Sequence, residues 1–310
     1  MTSQTKFGGK WTQLKLSALE AYLEAYLKVM KKQKFNLIYI DAFAGTGCLQ
    51  NWDNQKDKIE SSRLEFGGDD EANEAQDFLN GSVKVALNAG QEDGNSFHEY
   101  RFIEKCSRKF EELNNIKNEF PRKKILIRNA EANLEVRRMC EGLGKMDRAV
   151  LFLDPFGMQV EWKTIEFIAL TERIDLVLLF PVGASLRLMP RDGDLDEATK
   201  EKLNQFFGDE KWHNEIYKPA SSSFLPPFID SNEQPVSREA GTHKIEGFVR
   251  KRLSDIFFGV VDRPLRLVNT KNAPLYLLFF AFGNEKGAEI GKRIANRIIA
   301  NHSSPNYRKR

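Results

Sequence analysis

Carboxylates that close short apolar runs are the residues of this sequence best suited to chemistry. The run NLIYIDAFAGTG at 36–47 reaches Asp41 and then continues into a loop that contains Gly45 and Gly47. Glycine has no Cβ and adopts positive φ angles, so such a loop lets a ligand approach its backbone. In an open parallel sheet, ligands bind beyond the carboxyl ends of the strands. We therefore predict a ligand site at Asp41, Phe43, Gly45 and Gly47.

The pattern around this loop favours a charged nucleoside over a bare phosphate. Gly47 is followed by Cys-Leu-Gln rather than by a third glycine or by Gly-Lys-Ser/Thr, which disfavours a phosphate cradle. Asp41 would accept a hydrogen bond from an ammonium group, and Glu104, at the end of the next run, would bind ribose hydroxyls. Asn129 would meet an adenine edge. These roles predict S-adenosylmethionine, although each residue alone is equally typical of an ordinary strand end.

A second informative stretch is LFLDPFG at 151–157. It resembles the Asp/Asn-Pro-Pro-Tyr/Phe motif of methyltransferases that modify exocyclic amines of bases. Asp154 and the carbonyl of Pro155 would each accept an N–H of the amine, and Phe156 would stack on the base for about 1–3 kcal/mol. Holding amine and methyl in line supplies roughly 7–11 kcal/mol of a barrier. A base in a duplex must first be flipped out.

Other side chains near this motif have two interpretations. Gln159 and Trp162 follow it closely enough to contact a substrate, but VEWKTIEFIA also reads as a helix with Trp162 in the core. Arg187 would contact phosphate or lie on a solvated face. Lys15 of the first helix is a further candidate for the cleft.

Composition excludes several classes of protein. The 310 residues are 41% apolar and carry a net charge of +3, so bulk charge alone does not indicate a nucleic-acid partner. No apolar run reaches the roughly 18–20 residues of a membrane helix, and the polar start lacks the apolar stretch of a signal peptide. We expect a cytoplasmic protein without a membrane segment. Three scattered cysteines and four scattered histidines predict no metal site.

The elements that must position these residues alternate between strands and helices. Short apolar runs at 35–41, 99–105, 123–129, 148–154 and 174–181 lack apolar/polar alternation, which is typical of parallel strands buried on both faces. Helical patterns lie between them, and RPLRLVN at 263–269 and PLYLLFFAF at 274–282 predict two late strands that pair antiparallel. The fold class is α/β, a doubly wound, mostly parallel, seven-stranded Rossmann-like sheet with a final antiparallel strand and a helical insertion.

Three regions are expected. Residues 1–34 form an N-terminal helix on the core. Residues 35–190 and 261–310 form the α/β domain, with a polar insertion at 49–80. Residues 191–260, rich in charge, Pro and Ser, form a helical subdomain.

The chain resembles the three-Cys-motif partner protein family of bacteria and phages over nearly its whole length. The segments that carry the resemblance are KWTQLKLSALEAYLEAYL, YIDAFAGTG, GSVKVALN, FIEK, LFLDPFGMQVEWKTIE, RLMPRDG, FFGDEKW and PLYLLFFAFGNEKG. The resemblance implies a methyltransferase-like fold and a partner protein that looks like a radical S-adenosylmethionine enzyme with an iron–sulfur cluster. It does not imply a substrate.

Three functions are consistent with these patterns. The first, which we favour, is methyl transfer from S-adenosylmethionine to an exocyclic amine of a nucleic-acid base. The second is a subunit that keeps the fold and serves a radical S-adenosylmethionine enzyme. The third is a methyltransferase acting on a small-molecule or protein amine.

Overall fold

The computed structural model describes residues 10–45, 81–91, 94–219, 236–238 and 241–303. The predictions for Gly47 and for the polar insertion at 49–80 lie outside these residues.

An eight-stranded sheet lies at the centre, in the order β3-β2-β1-β4-β5-β10-β8, with β9 also paired to β10. The strands of this sheet are β1 (Asn36–Asp41), β2 (Glu99–Ile103), β3 (Ile125–Arg128), β4 (Asp147–Leu153), β5 (Ile174–Phe180), β8 (Gly259–Val260), β9 (Leu265–Val268) and β10 (Pro274–Phe282). Strands β1 to β5 pair in parallel, whereas β10 is antiparallel to β5, β8 and β9. The predicted α/β class, mostly parallel sheet and late antiparallel strand are confirmed.

The edge beside β10 explains why the sheet has eight strands where seven were predicted. β9 pairs with the first half of β10 and β8 pairs with Ala281 and Phe282, so the two short strands occupy one position in the sheet. Val261 continues the ladder by donating its N–H to the carbonyl of Phe280 at 3.1 Å. Pro264 has no N–H to donate, and the edge strand is interrupted there.

Ten helices in the described residues surround this sheet. They are α1 (Lys10–Met30), α2 (Gly81–Asn88), α3 (Ser107–Glu119), α4 (Ala132–Glu141), α5 (Trp162–Leu170), α6 (Val182–Leu188), α7 (Glu197–Phe207), α8 (Lys211–Ile216), α9 (Thr242–Ile256) and α10 (Glu285–Ser303). Helix α1 forms because Leu19, Tyr22, Leu23 and Leu27 recur at helical spacing, and all four are buried. It contacts α2, α10 and β9.

The central strands are apolar on both faces because helices cover both. Every residue of β1 from Leu37 to Asp41 is buried, as are the last five residues of β4 and of β5. The last residue of β1 is the polar Asp41, which therefore lies at the carboxyl edge of the sheet. None of the described helices is long and apolar enough to cross a membrane.

The described part of residues 191–260 packs on the same core as the sheet. It contains α7, α8, α9, the strand β8 and a two-stranded antiparallel sheet of β6 (Tyr217–Pro219) and β7 (Val236–Arg238). The ring of Phe180 at the end of β5 lies 4.7 Å from that of Phe206 and 6.1 Å from that of Phe207, centroid to centroid. Helix α7 therefore flanks the carboxyl end of β5.

Candidate functional site

Four polar side chains meet at the carboxyl edge of the sheet. Asp41 pairs with Phe102 of β2 and with Phe152 of β4, so Glu104 and Asp154 each lie two residues beyond its neighbours. Ile103 pairs with Arg128 of β3, which brings Asn129 beside Glu104. Neighbouring strands are about 4.8 Å apart, so these side chains follow one another along the edge in the order of the strands.

Asp41 faces the protein interior. Its side chain is 0% exposed, its Oδ1 accepts the N–H of Phe43 at 3.1 Å, and its Oδ2 accepts the hydroxyl of Ser82 at 2.8 Å. Burial raises the pKa of Asp41 to about 7, against the opposing hydrogen bonds from Ser82 and Phe43. The predicted direct contact with a ligand ammonium is therefore not what the geometry shows. Asp41 shapes the loop that contains the half-buried Phe43.

Lys15 and Asp154 form a buried ion pair. The Nζ of Lys15 donates to Oδ2 of Asp154 at 2.7 Å, and the two side chains are only 2% and 9% exposed. Burial lowers the pKa of Lys15, while the charge of Asp154 and its hydrogen bond oppose that shift. Helix α1 thus carries a cation to the motif that follows β4.

A tyrosine hydroxyl completes what we call the buried polar cluster, composed of Lys15, Tyr39, Asp41, Ser82 and Asp154. The hydroxyl of Tyr39 is buried without a hydrogen bond of normal geometry. Burial first, and then the neighbouring Asp41 carboxylate, raise the pKa of Tyr39 well above its usual value. The cluster holds two carboxylates, one ammonium group and two hydroxyls, and of the hydroxyls only that of Ser82 has a hydrogen bond of normal geometry.

Glu104 is held by main-chain donors at the end of β2. Its Oε1 accepts the N–H of Cys106 at 2.6 Å, and the side chain is 7% exposed. Burial raises the pKa of Glu104, although the N–H groups of Cys106 and Gly45 oppose the shift. A Cβ placed on Gly45 would lie 2.7 Å from Oε2 of Glu104. A side chain at position 45 would therefore cover this carboxylate.

Asn129 fixes the loop after β2. Its Nδ2 donates to the carbonyl of Glu104 at 2.8 Å and to that of Lys105 at 3.0 Å. The amide nitrogen is thus used within the protein, and Oδ1 is the atom left for the predicted adenine contact.

The Asp-Pro-Phe-Gly turn is fixed by a hydrogen bond to a side chain that follows it in the sequence. Pro155 is buried and Phe156 is half-buried, while Gly157 has a φ of +72°, a conformation that favours glycine. The N–H of Phe156 donates to Oε1 of Gln159 at 3.1 Å. Gln159, predicted to contact substrate, holds the turn in place through this bond.

Asn133 of α4 is a positioning residue that the sequence did not reveal. Its Nδ2 donates to the carbonyl of Gln159 and to Oε1 of Glu131, each at 2.9 Å. Its Oδ1 accepts the N–H of Glu161 and the hydroxyl of Thr164, each at 3.0 Å. All four hydrogen-bonding positions of the amide are filled, and they join the end of β3 to the loop after β4.

The two remaining predicted substrate residues lie in different surroundings. Trp162 is 1% exposed, packs against Gly208, and has the guanidinium of Arg252 4.8 Å from its ring centroid. The prediction that Trp162 stacks on a base is incompatible with this burial, and the core interpretation describes it. Arg187 is exposed on α6, directly after β5.

The described residues contain no group of three or more His, Cys, Asp or Glu side chains able to hold a metal ion. Fold and edge together define an α/β protein with a row of polar side chains at the carboxyl ends of β3, β2, β1 and β4.

Comparisons with known proteins add little to this description. No family model matches the chain, and no curated protein is significantly similar to it. A similar solved structure is protein LPL1258 from Legionella pneumophila str. Philadelphia 1, of the family model DUF519. The two are 12% identical, with a TM-score of 0.49 over 96% of this chain and 94% of that one. This degree of similarity carries no argument about activity.

Proposed function

We propose that this protein is an S-adenosylmethionine-dependent methyltransferase that methylates an exocyclic amine of a nucleic-acid base. The observation that carries the proposal is the row formed by Asn129, Glu104, Asp41 and Asp154 at adjacent strand ends, with a glycine loop at one end of β1 and Asp-Pro-Phe-Gly after β4.

The residues around Glu104 fit a nucleoside. Main-chain N–H groups orient the carboxylate of Glu104, and the missing side chain of Gly45 leaves room beside Oε2, which would accept from ribose hydroxyls. Phe43 supplies an apolar wall and Oδ1 of Asn129 an acceptor for an adenine amino group. Bound S-adenosylmethionine would supply an electrophilic methyl group. Asp41 supports this pocket indirectly, by holding the loop through the N–H of Phe43.

The other half of the site is suited to an amine. Lys15 donates to Oδ2 of Asp154, which leaves Oδ1 to accept an N–H of the methyl acceptor. Oδ1 is also a base for the proton that a methylated amine releases. The half-buried ring of Phe156 follows directly and offers a face for the base.

Replacement of Asp154 tests this assignment. Asp154→Ala should abolish transfer of labelled methyl to nucleic acid and leave the affinity for S-adenosylmethionine nearly unchanged, because the acceptor of the amine is lost. The buried ammonium of Lys15 would destabilise this variant, so Lys15→Met/Asp154→Ala is the matched form without an unpaired charge. Full transfer activity in a folded Asp154→Ala protein would refute the mechanism.

We also propose that the protein acts in the cytoplasm beside a radical S-adenosylmethionine enzyme. In support, segments that carry the family resemblance supply the site: 10–27 contains Lys15, FIEK contains Glu104, and LFLDPFGMQVEWKTIE contains Asp154. Affinity purification of the tagged chain from its native cells should recover an iron–sulfur protein. Recovery of the chain alone, under conditions that preserve such clusters, would count against this partner.

A further inference from the structure

Positive charge is concentrated in the last fifth of the chain. Residues 241–303 contain eleven Lys and Arg against five Asp and Glu, although the whole chain has a net charge of only +3. The remaining residues are therefore net negative. Such an asymmetry indicates a surface that attracts an anionic partner, which the bulk charge conceals.

This basic segment surrounds a groove at the interrupted edge of the sheet. The groove has a volume of about 570 Å³ and lies where β8 gives way to β9, between α9 and α10. Its polar lining includes Glu246, Asp262, Arg263, Arg266 and Asn296. We call it the edge groove.

The acidic side chains of the edge groove are already neutralised. Asp262 pairs with Lys292 at 3.0 Å and accepts from Nδ2 of Asn296 at 2.7 Å. Glu246 pairs with Arg266 at 2.8 Å. Each carboxylate thus has its own cation inside the protein, and neither is left to repel an anion.

Two further arginines remain on the rim. Arg263 lines the groove, is exposed and makes no ion pair with any described residue. Arg250 is exposed as well and lies one helical turn beyond Glu246 of the groove lining, on the same helix α9. Guanidinium groups present planar donors that match phosphate in a bidentate manner.

Helix α1 connects the edge groove to the site at Asp154. Leu14 lines the groove, and the next residue, Lys15, donates a hydrogen bond to Asp154. One helix, about 10–12 Å across, therefore separates the two. A chain molecule in the groove would therefore lie against the same turn of α1 that binds Asp154.

We propose that the edge groove, through Arg250 and Arg263, binds the phosphate backbone of the nucleic acid whose base enters the site at Asp154. The inference rests on the proposed function for the class of acceptor. It adds a surface that holds the acceptor outside the reaction site and makes its binding dependent on salt.

The test is a salt titration of binding to fluorescein-labelled single-stranded RNA and DNA oligonucleotides, without cofactor. Each phosphate contact contributes about 0.7 to the slope of log K against log salt. Arg250→Ala/Arg263→Ala should bind several-fold more weakly, with a slope smaller by about 1.4. Arg122→Ala, an exposed arginine before β3 at the opposite edge, should match the unchanged protein. All forms should bind S-adenosylmethionine equally.

Two results would overturn the inference in distinguishable ways. If the double variant keeps the slope and affinity of the unchanged protein, the edge groove does not contact nucleic acid, and the proposed function stands. If the unchanged protein binds no oligonucleotide at low salt but still binds S-adenosylmethionine, the acceptor is of another class. Binding to polyglutamate in that case would indicate an acidic protein as occupant of the groove.

Discussion

Three ionisable side chains, Lys15, Asp41 and Asp154, lie almost fully buried beside β1, at 1%, 0% and 6% exposure. Charges of this kind are expensive to desolvate, and apolar residues of similar volume are often as stable or more so. Perturbed, buried ionisable groups at a sheet edge are typical of functional sites. We therefore propose that the buried polar cluster is functional, and its cost in unfolding free energy should be measurable in single variants.

Removal of the ammonium group gives the first prediction. Lys15→Met keeps the length of the side chain but leaves the Asp154 carboxylate buried beside Asp41 without its cation. We expect a loss of about 3–5 kcal/mol in the free energy of unfolding, measured by urea denaturation near pH 7. Lys28→Met on the exposed face of α1 is the matched control and should change it by no more than about 0.5 kcal/mol. Equal effects of the two substitutions would show that the ion pair is not buried.

The second prediction concerns how the free energy of unfolding depends on pH. The pKa of Asp41 rises from 3.8 to about 7 on folding, so the folded protein retains a proton that the unfolded chain releases. The stability that protonated Asp41 contributes is fully present below about pH 4. It is lost as the pH rises through about 7, and this lowers the unfolding free energy by up to roughly 4 kcal/mol.

Asp41→Asn does not titrate and should flatten the decline in unfolding free energy between pH 4 and 7. Asp175, whose pKa burial raises to about 6, contributes in the same direction in both proteins, so the difference between them isolates Asp41. An identical slope in the two proteins would contradict the raised pKa of Asp41.

At the level of elements, α5 begins directly after the site and is fixed by α7 and α9. The chain turns at Gly208 after α7, and Arg252 of α9 covers the ring of Trp162. Arg252 also bonds Asp209 and lies 3.7 Å from Glu166. These contacts make Trp162 the anchor of the helix that follows the Asp-Pro-Phe-Gly turn.

This packing predicts opposite effects for two Gly→Ala substitutions. Gly208 has a φ of +90°, and a Cβ there would lie 2.4 Å from the Trp162 ring, so Gly208→Ala should lower the unfolding free energy by about 2–5 kcal/mol. Gly247 lies inside α9, and a Cβ added there would have no atom within 4 Å, so Gly247→Ala should raise it by about 0.5–1 kcal/mol. Thermal unfolding of both variants measures these two changes in stability. A more stable Gly208→Ala protein would refute the packing of Gly208 against Trp162.

For the molecule as a whole, the strands and their ends are predictable from sequence. Parallel strands buried on both faces appear as apolar runs without alternation, and a polar residue marks where each leaves the core. Asp41, Glu104, Asn129 and Asp154 are found in this way, and parallel pairing places them on one edge whatever the strand order. The short β8 escapes prediction because two residues carry no periodicity.

Contacts between elements that are far apart in the chain could not be predicted from the sequence. Nothing in its own segment marks Asn133 as the hub of four hydrogen bonds, since each partner is supplied by the fold. The sequence pattern marks Lys15 as a candidate for the cleft but does not pair it with Asp154, and it shows Ser82 only as a member of a helix. Trp162 could be read as core or as substrate contact, and only the positions of Gly208 and Arg252 decide between them.

The most direct test of the proposed cofactor site is calorimetric titration of the protein with S-adenosylmethionine, comparing Glu104→Ala with Glu141→Ala, an exposed carboxylate at the end of α4. Loss of hydrogen bonds to a charged acceptor costs about 1.5–3 kcal/mol, so Glu104→Ala should weaken binding about 10- to 100-fold. Glu141→Ala should bind like the unchanged protein. Equal affinity in all three folded proteins would place the cofactor elsewhere, and no binding to any of them would contradict the proposed function.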